Sequence, residues 1–130
     1  MPNLGDVKAI RKAKVEGAKK IAKRLREESH RITTGIARGL AKAGLFLQRE
    51  SQKIVPIDTS ALKNSAVTIV QGEGLSTVVI VGYFQSYALY VHEDLNARHA
   101  EGKSAKYLEK PLRQHKEYMA YLIRSEAMKR

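Results

Sequence analysis

The chain has 130 residues, no cysteine and a formal net charge of +11. That length suits one domain with a core of its own. The absence of cysteine excludes a disulfide framework and a thiolate metal site. No apolar run reaches the ~18 residues needed to span a bilayer. The N-terminus has no signal-peptide core, so a chain made in a cytoplasm, or assembled from one, is expected.

The charge is unevenly spread. Residues 1–53 hold 14 Lys/Arg against 5 Asp/Glu, residues 54–97 hold 1 against 4, and residues 98–130 hold 9 against 4. Basic ends around a mildly acidic middle point to a polyanion or to an acidic docking partner.

From Val7 to Ile54 apolar residues recur at steps of three and four, which predicts a long helix. Its first part, 1–30, is weakly apolar and crowded with charge, including Lys12, Lys19, Lys20, Lys23 and Arg24. A helix with so little to bury is expected to project as an arm, or to form against a partner. Its charges are expected on nearly all faces, which suits diffuse contact with phosphates better than groove reading. These five residues are the candidate contacts to DNA or to an acidic partner. Thr33-Thr34-Gly35 is the expected weak point of the helix. From Ile36 to Ile54 a fuller apolar stripe, with Phe46, is expected in the core of a body spanning 31–130.

Val55-Pro56-Ile57-Asp58-Thr59-Ser60-Ala61-Leu62-Lys63-Asn64-Ser65 is the pivot of the chain. Pro56 lacks an N–H and disfavours helical geometry at Val55, so the long helix ends there. Asp58 is the expected N-cap of a short helical turn carrying Ala61 and Leu62. Beyond it, 65–71 and 76–83 are β-rich and flank the turn residues Gly72-Glu73-Gly74, a hairpin signature. The unbroken apolar run Val78–Val81 predicts a strand covered on both faces, one by the long helix and the other by the C-terminal helix or another subunit. Tyr87-Ala88-Leu89-Tyr90-Val91-His92 reads as strand or short helix, and Ser86 as a fair N-cap favours helix. Asp94 to Ser104 is polar and reads as a loop. Lys106 to Lys129 returns to helical spacing, with Pro111 in the first turn, where it is tolerated. The chain is thus α+β, a single domain: a long N-terminal helix, a small antiparallel β-sheet built on a hairpin, and a C-terminal helix.

Tests for chemistry mostly fail. His92 and His99 are too far apart for a zinc-binding H-E-x-x-H pair, and no phosphate-cradling glycine motif occurs. Asp58-Thr59-Ser60 is similar to the D-T-G triplet of dimeric aspartic proteases. It lacks the glycine, however, and follows a long helix where an all-β context is needed. No catalytic, metal-binding or cofactor-binding residue is assigned.

The pivot resembles the "V-P-V-D-T-G-x-L-x-x-S" signature of small tailed-bacteriophage neck and tail-completion proteins, the gene-product-ten-like tail components. Two further stretches resemble the same family in the same order. Tyr87–Glu93 is similar to "Y-A-x-Y-V-[HE]-E", and Lys106–Leu112 to "K-[FY]-L-x-x-[PA]-L". Ser60 departs from the family's glycine. The resemblance covers most of residues 30–125. It implies a structural, non-enzymatic virion protein without cofactor. Such a protein forms a homo-oligomeric ring, six- or twelve-fold, between head connector and tail-terminator proteins, with DNA passing through the channel and no membrane contact. It would reside in the host cytoplasm during assembly and in the virion afterwards. The resemblance singles out Pro56, Asp58, Thr59, Leu62 and Ser65 at the turn. It also singles out Tyr87, Tyr90, Glu93, Lys106 and Leu108 for packing or a subunit interface. The alternative on charge alone is a basic nucleic-acid-binding domain of non-viral type.

Overall fold

The computed structural model describes residues 3–56, 60–85, 88–93 and 105–130, with 89–91 described in backbone only. The fold is α+β: a long N-terminal helix, a two-stranded antiparallel sheet and a C-terminal helix.

Helix α1 runs from Leu4 to Ile54, 51 residues without a break. It starts three residues earlier than the apolar spacing predicts, because Asn3 and Asp6 cap it reciprocally. The Asp6 N–H donates to Asn3 Oδ1 at 2.9 Å and the Asn3 N–H to Asp6 Oδ2 at 3.2 Å. It ends at Val55, which turns to extended geometry ahead of Pro56. The helix runs through Thr33-Thr34-Gly35 without a break.

Gly35 has a different job. A Cβ there would lie 2.4 Å from the carbonyl oxygen of Glu126, and one on Gly39 would lie 2.5 Å from the Ile123 Cα. Both contacts are to backbone of the C-terminal helix α4, Glu109–Ala127. The two glycines, one turn apart, let the helix backbones touch. Further along α1, Phe46 packs its ring against His115 and Tyr118 of α4, at centroid distances of 5.1 and 4.9 Å. Pro111 is the third residue of α4, where a missing N–H leaves no intrahelical bond unmade.

Strand β1, Ala66–Gln71, pairs antiparallel with β2, Val78–Tyr83. The loop between them is six residues, longer than the spacing suggests. Gly74–Ser76 winds into one 3-10 turn, and the Ser76 and Thr77 hydroxyls donate back to the carbonyls of Glu73 and Gly74, both at 2.7 Å.

The register Thr68↔Val81, Val70↔Val79 puts those residues on one face of the sheet, and Ile69↔Ile80, Gln71↔Val78 on the other. The first face lies on α1 across Gly44, where a Cβ would come within 2.4 Å of Val79 Cγ1. The second face is open: Val78 is 54% exposed and Ile80 45%. The expectation of cover on both faces therefore fails within the chain. α4 packs along α1 and leaves the outer face of the sheet uncovered.

Two short helices complete the fold: α2, Ser60–Asn64, and α3, Ala88–Glu93. Helix α2 is the expected turn after the pivot. Its expected cap, Asp58, lies outside the described residues, as do Thr59, Tyr87, Ser86 and the loop 94–104.

Candidate functional site

The three stretches that carry the resemblance meet at one corner. Val55 and Leu62 from the pivot and Tyr107 from the third stretch are buried to 2% exposure or less and pack together. Tyr83, Leu108 and Ala88, the last from the second stretch, close around them. Pro56 is buried beside Val55, at the stop of α1.

Polar groups lock this corner. The Ser51 and Tyr83 hydroxyls lie 2.7 Å apart, and the Tyr107 hydroxyl donates to the Ala88 carbonyl at 2.6 Å. Burial pushes the Tyr83 phenol up from its usual range, against the pull of its bond with Ser51. The Tyr107 ring meets the Tyr83 and His92 rings edge-on, each at 5.0 Å. The Ser65 hydroxyl donates to the Leu62 carbonyl at 2.8 Å, and Gln52 Nε2 to the Lys63 carbonyl at 3.0 Å, tying α2 to the last turn of α1.

Glu93 and Lys106, 13 positions apart, form an ion pair across the corner. Lys106 also lies 3.6 Å from Glu109, and Glu93 bonds His92 Nδ1 at 2.7 Å. The Lys106 ammonium, and after it His92, hold the Glu93 carboxyl below its usual value; the same bond holds the Lys106 amine above its own. The backbone at Lys106 sits in the left-handed region at φ 58°, uncommon for a residue with a side chain, and its N–H donates to the His92 carbonyl at 2.6 Å. That backbone bond and the ion pair together join the second stretch to the third.

Beside the corner lies an apolar groove of about 700 Å³ between α1, β2, α3 and α4. Leu47, Val81, Tyr107, Leu112 and Ile123 line it, and Glu93 and Glu109 stand among its polar lining. The described residues hold no cluster of three His, Asp or Glu placed to bind a metal. No described helix is long and apolar enough to cross a membrane.

The arm residues lie elsewhere. From Asn3 to His30 all but Val7, Gly17 and Ala22 are exposed. On the continuous helix the charges reach nearly all faces, as the sequence leads one to expect, but they are densest along one of them. Lys8, Lys12, Lys19, Lys23 and Arg26 fall in one row, while Lys20 and Arg24 lie further round. A separate stripe of Leu4, Val7, Ala18, Ile21 and Leu25, interrupted by Arg11 and Lys14, runs beside that row.

Of the residues the resemblance selects, the structure therefore unites Pro56, Leu62, Ser65, Glu93, Lys106 and Leu108 at one corner, and leaves the five basic residues on the arm. Asp58, Thr59 and Tyr87 lie outside the described residues, and so does the side chain of Tyr90. Tyr83 packs against the core, as its place in an apolar run suggests. Sequence reasoning missed Ser51 and the burial of Tyr107. It also missed the buried Glu126, which pairs with Lys129 at 2.6 Å, Arg38 at 3.3 Å and Lys42. Compared with family models, with curated proteins and with solved structures, the chain finds no match in any of the three.

Proposed function

We propose that the chain is a structural virion protein of the tailed-phage neck. In this reading it forms a homo-oligomeric ring that joins head connector to tail around the DNA channel, without enzymatic activity. The observation that carries the proposal is the convergence of three separate motif-like stretches on one corner: Val55 and Leu62, Ala88, and Tyr107 pack in one cluster, and Glu93 pairs with Lys106. The three stretches selected by resemblance are thus in mutual contact, which chance likeness in three unrelated stretches does not require. An uncovered apolar sheet face and an exposed arm also suit a protein completed by its neighbours.

Mass spectrometry of purified particles, with negative-stain microscopy of antibody-labelled virions, tests the proposal. The expected result is label at the head–tail junction; absence of the chain from particles overturns it. The row Lys12, Lys19, Lys23 supports a second reading, nucleic-acid binding in its own right. That reading expects duplex affinity that falls steeply with salt, and it is lost if none is measurable at low salt.

A further inference from the structure

Among the open apolar surfaces of the described residues are one on the arm and one on the hairpin. On the arm, Val15, Ala18, Ile21, Ala22 and Leu25 share a helical face with no charge among them, and Val15, Ile21 and Leu25 are 52%, 61% and 65% exposed. The other is the outer face of the sheet, with Ile69, Val78 and Ile80. Side chains so placed gain from burial only against another apolar surface.

The two surfaces of one chain cannot meet. The inner face of the sheet rests on α1, so the outer face points away from that helix, and α1 continues unbroken from the arm through the body. Any meeting is between copies.

Charge selects the pairing. Residues 4–31 hold ten Lys/Arg against four Asp/Glu, whereas the hairpin 65–85 holds no Lys or Arg and one acid, Glu73. Arm against arm sets two strongly cationic helices side by side. Arm against hairpin meets no cation, in the third of the chain that is net acidic. The sizes agree as well: Val15 to Leu25 spans about 15 Å of helix, and a six-residue strand about 20 Å. Duplex DNA offers the aliphatic stripe nothing, since phosphate contact uses the neighbouring basic row.

We propose that the Val15–Leu25 stripe of one copy seats on the outer sheet face, Ile69, Val78 and Ile80, of the next. This deepens the ring reading and rests on it for its setting. The contact is heterologous, different surfaces on the two partners, so repetition continues head to tail, and it closes as a ring where the rotation between copies allows. A face-to-face pairing of sheets would stop at a dimer.

The test uses the full chain and two variants, Leu25→Asp on the arm and Ile80→Lys on the sheet. Sedimentation follows assembly over a concentration series, and circular dichroism checks the fold. The full chain is expected to assemble beyond the dimer, and each variant alone to lose affinity by roughly a hundredfold or more. The variants mixed in equal amounts should form a heterodimer and stop, because one good arm finds one good face. Should Ile80→Lys lose sheet structure, Ile80→Thr keeps a β-branched residue there and makes the same prediction at smaller size. Three results overturn the contact: a chain monomeric at every concentration, an assembly indifferent to both variants, or an assembly broken by the arm variant and untouched by the sheet variant. Assembly indifferent to both leaves the neck proposal standing on other surfaces. A chain that shows the contact in solution yet is absent from particles loses the neck proposal and keeps the contact.

Discussion

The two halves of α1 share one backbone and one helical geometry, yet they are held by different means. From Arg31 to Ile54 the helix is the central beam of the body. Gly35 and Gly39 admit the backbone of α4, Gly44 admits the sheet, and Ala43, Leu47 and Ser51 are buried between. From Leu4 to His30 almost every side chain meets water, and the described side-chain contacts are local, among them the Asn3–Asp6 cap, a 3.9 Å pair between Lys19 and Glu16 and a 2.8 Å pair between Glu28 and Arg31. A helix whose face is unburied rests on propensity and capping, which are small per residue; a helix with a buried stripe rests on packing, which is large. Continuous in geometry, α1 is therefore expected to be divided in stability.

The sharpest way to break that division is to delete the same side chain in each region. Leu62 is 2% exposed in the corner cluster, and Leu62→Ala is expected to cost about 3 kcal/mol through lost burial and the cavity left behind. Leu25→Ala, at 65% exposure on the arm, is expected to cost less than ~0.5 kcal/mol in the isolated monomer. Chemical denaturation of both variants checks this. Equal losses would mean that the arm is packed in solution after all.

Next in size is Gly39→Ala. Alanine raises helix propensity by about 1 kcal/mol, but its methyl would lie 2.5 Å from the Ile123 Cα. Backbone on a packed helix cannot step aside as a flexible side chain can, so α4 must shift, and overpacking of this kind costs about 1–3 kcal/mol. The steric cost wins, and a net loss of roughly 1–2 kcal/mol is expected by denaturation. A gain in stability would show that the two helices do not touch at Gly39.

That glycine also marks where the sequence misleads. A Gly after Thr33-Thr34 reads as a breaker, because single-sequence rules score glycine by backbone freedom. The readable signal was the spacing: Gly35, Gly39 and Ala43 recur every four residues, a row of small side chains on one helical face. The 3.6 period of α1, the β-branched hairpin and the return to helical spacing after Lys106 were all legible, because local pattern dictates them. The open outer face of the sheet was not, since Val78–Val81 says that both faces are apolar and cannot say that α4 prefers α1. Asn3-x-x-Asp6 is a capping signal that apolar spacing, which begins at Val7, does not register. The Glu93–Lys106 pair has no local signal at all, and only the resemblance singled out its members. Tyr107 stood in the sequence as the aromatic position of the third motif, and nothing there marks it as the most buried ring among the described residues.

A smaller effect comes from pH and touches the body alone. Glu126 is buried near the end of α4, and hydrogen bonds from Lys129, then Lys42 and Arg38, hold its carboxyl down to about 2 from an ordinary 4.5. A carboxyl with a lowered folded-state pKa adds stability that is fully present above its unfolded value and is lost as pH falls through the folded one. The melting temperature of the body is therefore expected to hold from pH 7 to about 5 and to decline between about 4.5 and 2. Glu126→Gln should flatten that decline while lowering the neutral-pH plateau, because the three cations lose their shared acceptor. An unchanged acid profile in Glu126→Gln would show that other carboxylates carry it.

The finest test of the comparison is Gly17→Ala. A Cβ at Gly17 meets nothing within 4 Å, so the substitution adds propensity and no contact. In an exposed helix interior that is worth about 0.5–1 kcal/mol. If the arm opens independently of the body, the gain stays in the arm. Amide hydrogen exchange around residues 12–22 should then slow by up to roughly fivefold, the equivalent of 1 kcal/mol, with no change at Ala43 or Leu47 and none in the melting temperature of the body. If the whole of α1 instead unfolds as one unit, the same methyl raises the melting temperature and slows exchange along the full helix. The first outcome leaves an arm free to order against a neighbouring copy without disturbing the body. The second would tie any neighbour's grip on the arm directly to the stability of the corner at Val55.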